Sequence, residues 1–153
     1  MKIALITDQH LDGRKGSVAF WNFWQKFYDE VFFPTLEKEG ITTVIDLGDT
    51  FDNRKSMDFN TFNRITENYF KRLKDYTVHM ILGNHCTYYK NTNKINSPEL
   101  LLEQYDNITI YSKPDEITLG SKKFLMMPWI NSENRNDSVE VMQNSTAEIM
   151  CGH

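Results

Sequence analysis

Three apolar runs that each stop abruptly at a polar tip constrain this chain most. Ile3-Ala4-Leu5-Ile6 stops at Thr7-Asp8, Val44-Ile45-Asp46-Leu47 at Gly48-Asp49, and Val78-His79-Met80-Ile81-Leu82 at Gly83-Asn84-His85. Runs with little polar alternation suit strands buried on both faces, as in a parallel sheet. Helical stretches lie between them. Ser17 can cap a first helix that runs to about Glu39, with Gly40 as its stop. A second runs from about Phe59 to Leu73, with Phe62, Ile65, Tyr69 and Leu73 on one stripe. Strand and helix in alternation predict right-handed crossovers and an α/β fold of layered sheet flanked by helices.

After the third run the pattern shortens. Ser97-Pro98-Glu99 reads as a helix start, with a Ser cap and Pro in the first turn. Short β segments follow near Ile108 to Tyr111, Glu116 to Leu119 and Lys123 to Met127, with Gly120-Ser121 as a turn. Asn131 to Ser138 reads as a polar loop. A weak helix precedes a last strand, Ala147 to Met150, which delivers Cys151-Gly152-His153. Ending there, with no closing helix, reads as one domain, 1–153, cut short at its C-terminus.

Composition excludes several classes. A length of 153 residues fits one domain, and 40% hydrophobic residues allow a sizeable core rather than disorder. A net charge of -4 argues against capture of nucleic acid by the global field, so any such contact needs local basic patches. Two distant cysteines, Cys86 and Cys151, form no paired spacing and fit free thiols in a reducing cytoplasm. No stretch approaches the ~20 apolar residues of a membrane span, and no signal peptide opens the chain. The expected localisation is cytoplasmic.

The polar tips carry the chemistry. Parallel strands end on one edge, where ligands bind in open α/β sheets. Asp8, His10, Asp49, Asn84, His85 and His153 would then converge from four separate places. Carboxylate, imidazole and amide oxygen suit Mn²⁺, Zn²⁺ or Fe²⁺, with Mg²⁺ also compatible. Asp8 and His10 alternate by two and can share a side. Asp49 has two oxygens and can bridge two ions, which together clamp an in-line displacement at phosphorus. Each tip alone is ordinary: a turn, a helix cap or a loop. Their joint occurrence at strand ends is what points to metal. His79, inside an apolar run, reads as structural.

Asp8-Gln9-His10, Gly48-Asp49-Thr50-Phe51-Asp52, Gly83-Asn84-His85 and Gly152-His153, in this order, resemble the motifs of the calcineurin-like metallophosphoesterases. "GDTFDNRK", "GNHCTYYKN" and "PWINSEN" are most similar to the SbcD-like nuclease subunit of recombination endonucleases, in its T-even-phage form. The resemblance implies a metallophosphoesterase sandwich and a DNA phosphodiesterase with two divalent ions, usually Mn²⁺, acting in recombination and repair. It makes Asp8, His10 and Asp49 ligands of one ion, and Asp49, Asn84 and His153 ligands of the other. It makes His85 the catalytic residue, stabilising the transition state or protonating the leaving oxygen. It also implies an SbcC-like coiled-coil ATPase partner.

Two departures from the pattern stand out. The family continues with a His-x-His pair that this chain does not contain, leaving each ion one ligand short. Where the family has an acid after Asn-His, this chain has Cys86. That thiol is a small stand-in beside the ligands, a disruption of activity, or a thiolate ligand.

Trp21, Phe23, Trp24, Phe27, Tyr28, Phe32 and Phe33 cover more than one face of the first helix. The surplus fits a homodimer interface, which the resemblance also implies, or a thick core. Arg14-Lys15, Arg54-Lys55, Lys90 and Lys94 lie in loops leaving the metal edge and can line a phosphate track, with Arg54 and Lys90 as substrate-binding candidates. Tyr88 and Tyr89 can stack on an unpaired base or pack their loop. Rival readings are a small-molecule phosphatase or cyclic-nucleotide phosphodiesterase of the same fold, and a non-catalytic DNA-binding scaffold subunit with a decayed site.

Overall fold

A computed structural model describes residues 1–153. Strands β1 (Ala4–Ile6), β2 (Thr43–Asp46), β3 (Thr77–Ile81) and β4 (Ile108–Tyr111) form a four-stranded sheet in that order, every pair parallel. A second sheet holds β5 (Asp115–Leu119), β6 (Lys122–Met127) and β7 (Ile149–Gly152), with β5 antiparallel and β7 parallel to β6.

The apolar runs of β2 and β3 are continuous because both faces of the sheet are covered there, whereas in the edge strand β1, expected to be buried on both faces, Leu5 is 60% exposed. Val44, Val78 and Met80 pack with the helices, whereas Ile45 and Ile81 meet Phe124, Met126 and Cys151 of the second sheet. Successive residues of one strand therefore serve two cores. His79 is structural, as expected: its Nδ1 lies 2.8 Å from the Tyr111 hydroxyl.

After a left-handed turn, α1 (Gly13–Gly16), the first long helix begins at α2 (Val18–Phe27), with the Ser17 hydroxyl accepting from Phe20 N. A wide π turn (Tyr28–Phe32) joins α2 to α3 (Phe33–Glu39), and left-handed Gly40 ends it as expected. The i→i+5 bond runs from Phe33 N to Tyr28 O, just before Pro34, which has no N–H to donate. That extra residue shifts the phase, so Tyr28, Phe32 and Phe33 are all buried. Tyr28 stacks on Tyr69 with ring centroids 4.5 Å apart. Most of the aromatic surplus is thus thick core, and Phe23, at 78% exposure, is the large exception.

Other boundaries move for local reasons. The second helix is α4 (Phe59–Asn68), capped by Asp58, and it tightens into a 3₁₀ segment, Phe70–Asp75, rather than staying α-helical to Leu73. Asn96, not Ser97, caps α5 (Ser97–Leu102), its side chain accepting from Glu99 N at 2.9 Å. A helix, α6 (Arg135–Asn144), starts within the expected loop. The last strand lies two residues later than expected, placing Cys151 opposite Met126.

Candidate metal centre

The loops after β1, β2 and β3 meet at one edge because the three strands run parallel. Main-chain bonds tie the first two: Asp8 N to Gly48 O, His10 N to Asp49 O and Leu11 N to Thr50 O, at 2.9–3.0 Å. The second and third loops approach so closely that a Cβ on Gly83 would stand 2.1 Å from Asp49 Oδ1. One on Gly48, at φ 99, would stand 2.8 Å from Gly83 N. Only glycine fits either place. β7 brings in the fourth segment, where His153 Nδ1–H donates to Leu47 O at 2.8 Å.

Asp49 lies at the centre, nearly buried. Its Oδ1 accepts from His85 N at 2.7 Å, so Oδ2 is the oxygen that faces the other tips. From Oδ2, His153 Nε2 is 3.3 Å away and His10 Nε2 3.9 Å. His10 Nε2 also lies 3.8 Å from Asp8 Oδ1, and His153 Nε2 lies 3.2 Å from Asn84 Oδ1. Ligand atoms of Asp8, Asp49 and His153 all fall within 4.8 Å of one another. Asp8, His10 and Asp49 hold positive φ of 50, 46 and 52. Such backbone costs about 1–3 kcal/mol per non-glycine residue and is typical of working sites.

The donor chemistry fits a cation. With Nδ1–H committed to Leu47 O, neutral His153 turns the Nε2 lone pair toward two oxygens, those of Asp49 and Asn84. Three electron-rich atoms cannot face one another unless a proton or metal ion lies among them. The hydrogen bond to Asp49 accordingly pushes His153 up to about 8, against the effect of burial. Burial pushes the Asp49 carboxyl up, but the His153 bond and the His85 N–H more than offset it, and the group sits below its ordinary range.

His85 is held differently. Its Nδ1–H donates to Asp52 O at 3.0 Å, and Asp52 Oδ1 is 3.4 Å from the same nitrogen. Its ring meets the His10 ring edge-on at 5.0 Å. Asp52 Oδ1 also lies 3.0 Å from His10 Nδ1, within ion-pair range though out of line for a hydrogen bond. One acid therefore stands behind both imidazoles, leaving each Nε2 free, and His10, Asp52 and His85 form a second group able to hold a metal ion. Sequence reading missed Asp52 as a site residue, although it stands in the quoted "GDTFD" segment. It also missed Asp12, whose buried carboxylate accepts from Asp52 N at 2.6 Å and Asn53 N at 3.1 Å.

Cys86 is buried, and burial pushes its thiol up to about 11. It stands in neither group of side chains able to hold a metal ion, which favours a small stand-in beside the ligands over a thiolate ligand. Of the substrate-binding candidates, Arg54 is half-committed: Nη1 donates to Thr87 O and Oγ1 at 2.9 and 3.1 Å. Lys90 is exposed, as are Tyr88 and Tyr89. No helix is long and apolar enough to cross a membrane.

An α/β sandwich with carboxylates, imidazoles and an amide gathered at one sheet edge is the layout of a phosphoesterase, with two groups of side chains able to hold a metal ion. The chain belongs to the calcineurin-like phosphoesterase family, whose pattern matches residues 1–148. It is 35% identical over 119 residues to exonuclease subunit 1 of Enterobacteria phage T4, a match covering 76% of this chain and 35% of that protein. Among solved structures, the Pseudomonas putida nuclease MPE superposes with TM-score 0.53 at 22% identity, covering 81% of this chain and 52% of its own. An archaeal phosphodiesterase superposes with TM-score 0.52 at 12% identity, covering 98% and 70%. These two share the fold.

Proposed function

We propose that the chain is the catalytic part of a metal-dependent DNA nuclease that hydrolyses phosphodiesters with two divalent ions, Mn²⁺ foremost. The observation that carries this is Asp49 Oδ2 facing His153 Nε2 at 3.3 Å and His10 Nε2 at 3.9 Å, with Asp8 and Asn84 oxygens beside them, a donor set that suits a divalent cation. The nuclease relative from phage T4 favours DNA as the substrate.

Asp8, His10 and Asp49 would hold one ion, and Asp49, Asn84 and His153 the other. Bound there, divalent ions supply Lewis acidity and a water that ionises near neutral pH. His85, with Nδ1–H fixed on Asp52 O, presents Nε2 to carry a proton to the leaving oxygen. The Asp52 carboxylate would stabilise the imidazolium form of His85 that donates this proton. Arg54 and exposed Lys90 flank this edge and meet the DNA backbone. The expected outcome is Mn²⁺-dependent cleavage of plasmid and oligonucleotide DNA, with little hydrolysis of a chromogenic phosphomonoester. The reverse preference would make the chain a small-molecule phosphatase. Metal binding without either activity would favour a scaffold subunit.

The partners proposed are an SbcC-like coiled-coil ATPase, in DNA recombination and repair in the host cytoplasm, and a second copy of the chain. For the homodimer, the first helix offers exposed Phe23 and Val31. A second apolar surface surrounds a cavity of about 440 Å³, where Phe59 is 92% and Leu100 69% exposed. Light scattering of Phe23→Glu beside Leu100→Glu decides between the surfaces, since only the variant at the true interface yields monomer.

A further inference from the structure

One carboxylate that this chemistry does not use lies directly beneath the metal centre. Asp46 ends β2 and is 1% exposed, in a strand otherwise filled by Thr43, Val44 and Ile45. Its Oδ2 accepts from the Gln9 side-chain amide and from the Thr50 hydroxyl, both at 2.8 Å, and its Oδ1 accepts from Gly48 N at 3.0 Å. Gln9 is itself fully buried and accepts the Tyr28 hydroxyl on its other terminus. An apolar side chain would fill this place without the cost of burying an acid.

The sequence positions of its partners give the acid a purpose. Gln9 stands between Asp8 and His10. Gly48 and Thr50 stand on either side of Asp49. One carboxylate thus grips the neighbours of three proposed ligands without touching any ligand. Those three are the ones at φ 50, 46 and 52, a region that L side chains adopt only when their surroundings enforce it. The π turn that presents Tyr28 completes the chain of bonds, Tyr28 to Gln9 to Asp46.

We infer that Asp46 is a positioning residue of the metal centre: through Gln9, Gly48 and Thr50 it holds the two ligand loops in the left-handed conformations that aim Asp8, His10 and Asp49 at a shared point. This rests on the metal-site reading above. The acid acts by accepting bonds, so an amide that can accept and donate at the same place retains much of the effect once Gln9 turns its own amide over.

Three variants of the intact protein test it. Asp46→Ala removes the acceptor from all three partners. Gln9→Met keeps the length of the side chain and cuts only the link to the first loop. Asp46→Asn is the conservative replacement. Mn²⁺ affinity is read from the electron paramagnetic resonance of free Mn²⁺, and exchange of the Asp8, His10 and Leu11 amide protons is read in metal-free protein. The expected result is roughly 10–100-fold weaker Mn²⁺ binding in Gln9→Met and Asp46→Ala, faster amide exchange in both, and restoration of affinity in Asp46→Asn relative to Asp46→Ala. Should Asp46→Ala fail to fold, Gln9→Met decides alone. A folded Gln9→Met with wild-type Mn²⁺ affinity and unchanged exchange overturns the inference. So does a lowered melting temperature with wild-type Mn²⁺ affinity below it, the mark of a merely structural acid. If the wild-type protein binds no Mn²⁺, the metal-site reading falls, and amide exchange then decides the positioning role by itself.

Discussion

Around Asp49 the polar atoms are gripped from two sides, whereas the basic and aromatic loops above it are gripped from one side or none. Asp49 itself is engaged on Oδ1 by His85 N and faced on Oδ2 by His153 and His10. Its neighbours Gly48 and Thr50 are bonded to buried Asp46. Arg54, by contrast, uses its guanidinium to pin Thr87, and Lys90, Tyr88 and Tyr89 are exposed. The difference teaches where geometry is built in advance and where it is left to the substrate. On the proposed reading the deep groups would have to meet a small ion in a fixed geometry. On the same reading the rim groups would meet a flexible phosphate chain, for which an exposed, adjustable cation is enough.

The sharpest way to break this comparison is Asp49→Asn. It removes the charge shared by both proposed ion positions, and activity should fall at least about 10³-fold with loss of Mn²⁺ binding by calorimetry. Retained binding would mean that the deep half is not the metal centre. Next comes His85→Ala, expected to lower kcat about 10²–10⁴-fold while Mn²⁺ affinity stays at the wild-type value. A parallel loss of affinity would move His85 among the ligands. Asp52→Ala should loosen both imidazoles, costing roughly 10–100-fold in kcat, and it should alter the pH profile, which a packing defect would not do.

Titration gives a smaller and signed effect. His153 is raised to about 8 by its bond to Asp49, and a metal ion must displace that proton. Mn²⁺ affinity should therefore climb about tenfold per pH unit up to about 8 and then level off. In metal-free protein the sign reverses. The His153 contribution is fully present below the ordinary 6.5 and is lost as pH rises through about 8. Burial raises Asp46 to about 7, so the folded state keeps that proton longer than the unfolded chain does. Its contribution also declines, from the ordinary 3.8 up to about 7. Thermal unfolding with and without Mn²⁺ across pH 5–9 would show the two opposite slopes, roughly as the linkage relation requires. The smallest effect belongs to the rim: Lys90→Ala should weaken DNA binding only a few-fold and reduce the salt slope by about 1. A loss as large as that of His85→Ala would place Lys90 in the deep half.

The apolar runs determined much of this protein before any contact was known. A strand such as Val44 to Leu47 presents apolar residues, Val44 on one face and Ile45 and Leu47 on the other, to both sides, so it must be covered on both, and coverage on both sides implies a parallel sheet with helices and a second layer. Parallel strands share an edge, so Asp8, Asp49 and Asn84 were bound to meet there. The motif order carried the family. Within the chain, Gly40, His79 and the start of the first helix were equally legible, because caps, left-handed stops and runs act over a few residues.

What the tertiary structure alone decided involves segments far apart in the chain. The π turn before Pro34 changed which aromatics face inward, and no count at 3.6 residues per turn could show that. Which oxygen of Asp49 faces His153 and His10 depends on the His85 N–H, 36 positions away. The partnership of Gln9 with Asp46 spans 37 positions, and that of His153 with Leu47 spans 106. Residue type and spacing state what a side chain can bond to. The direction in which it points is settled only when strand register and loop approach place one partner, and exclude water, on the side where the bond must form.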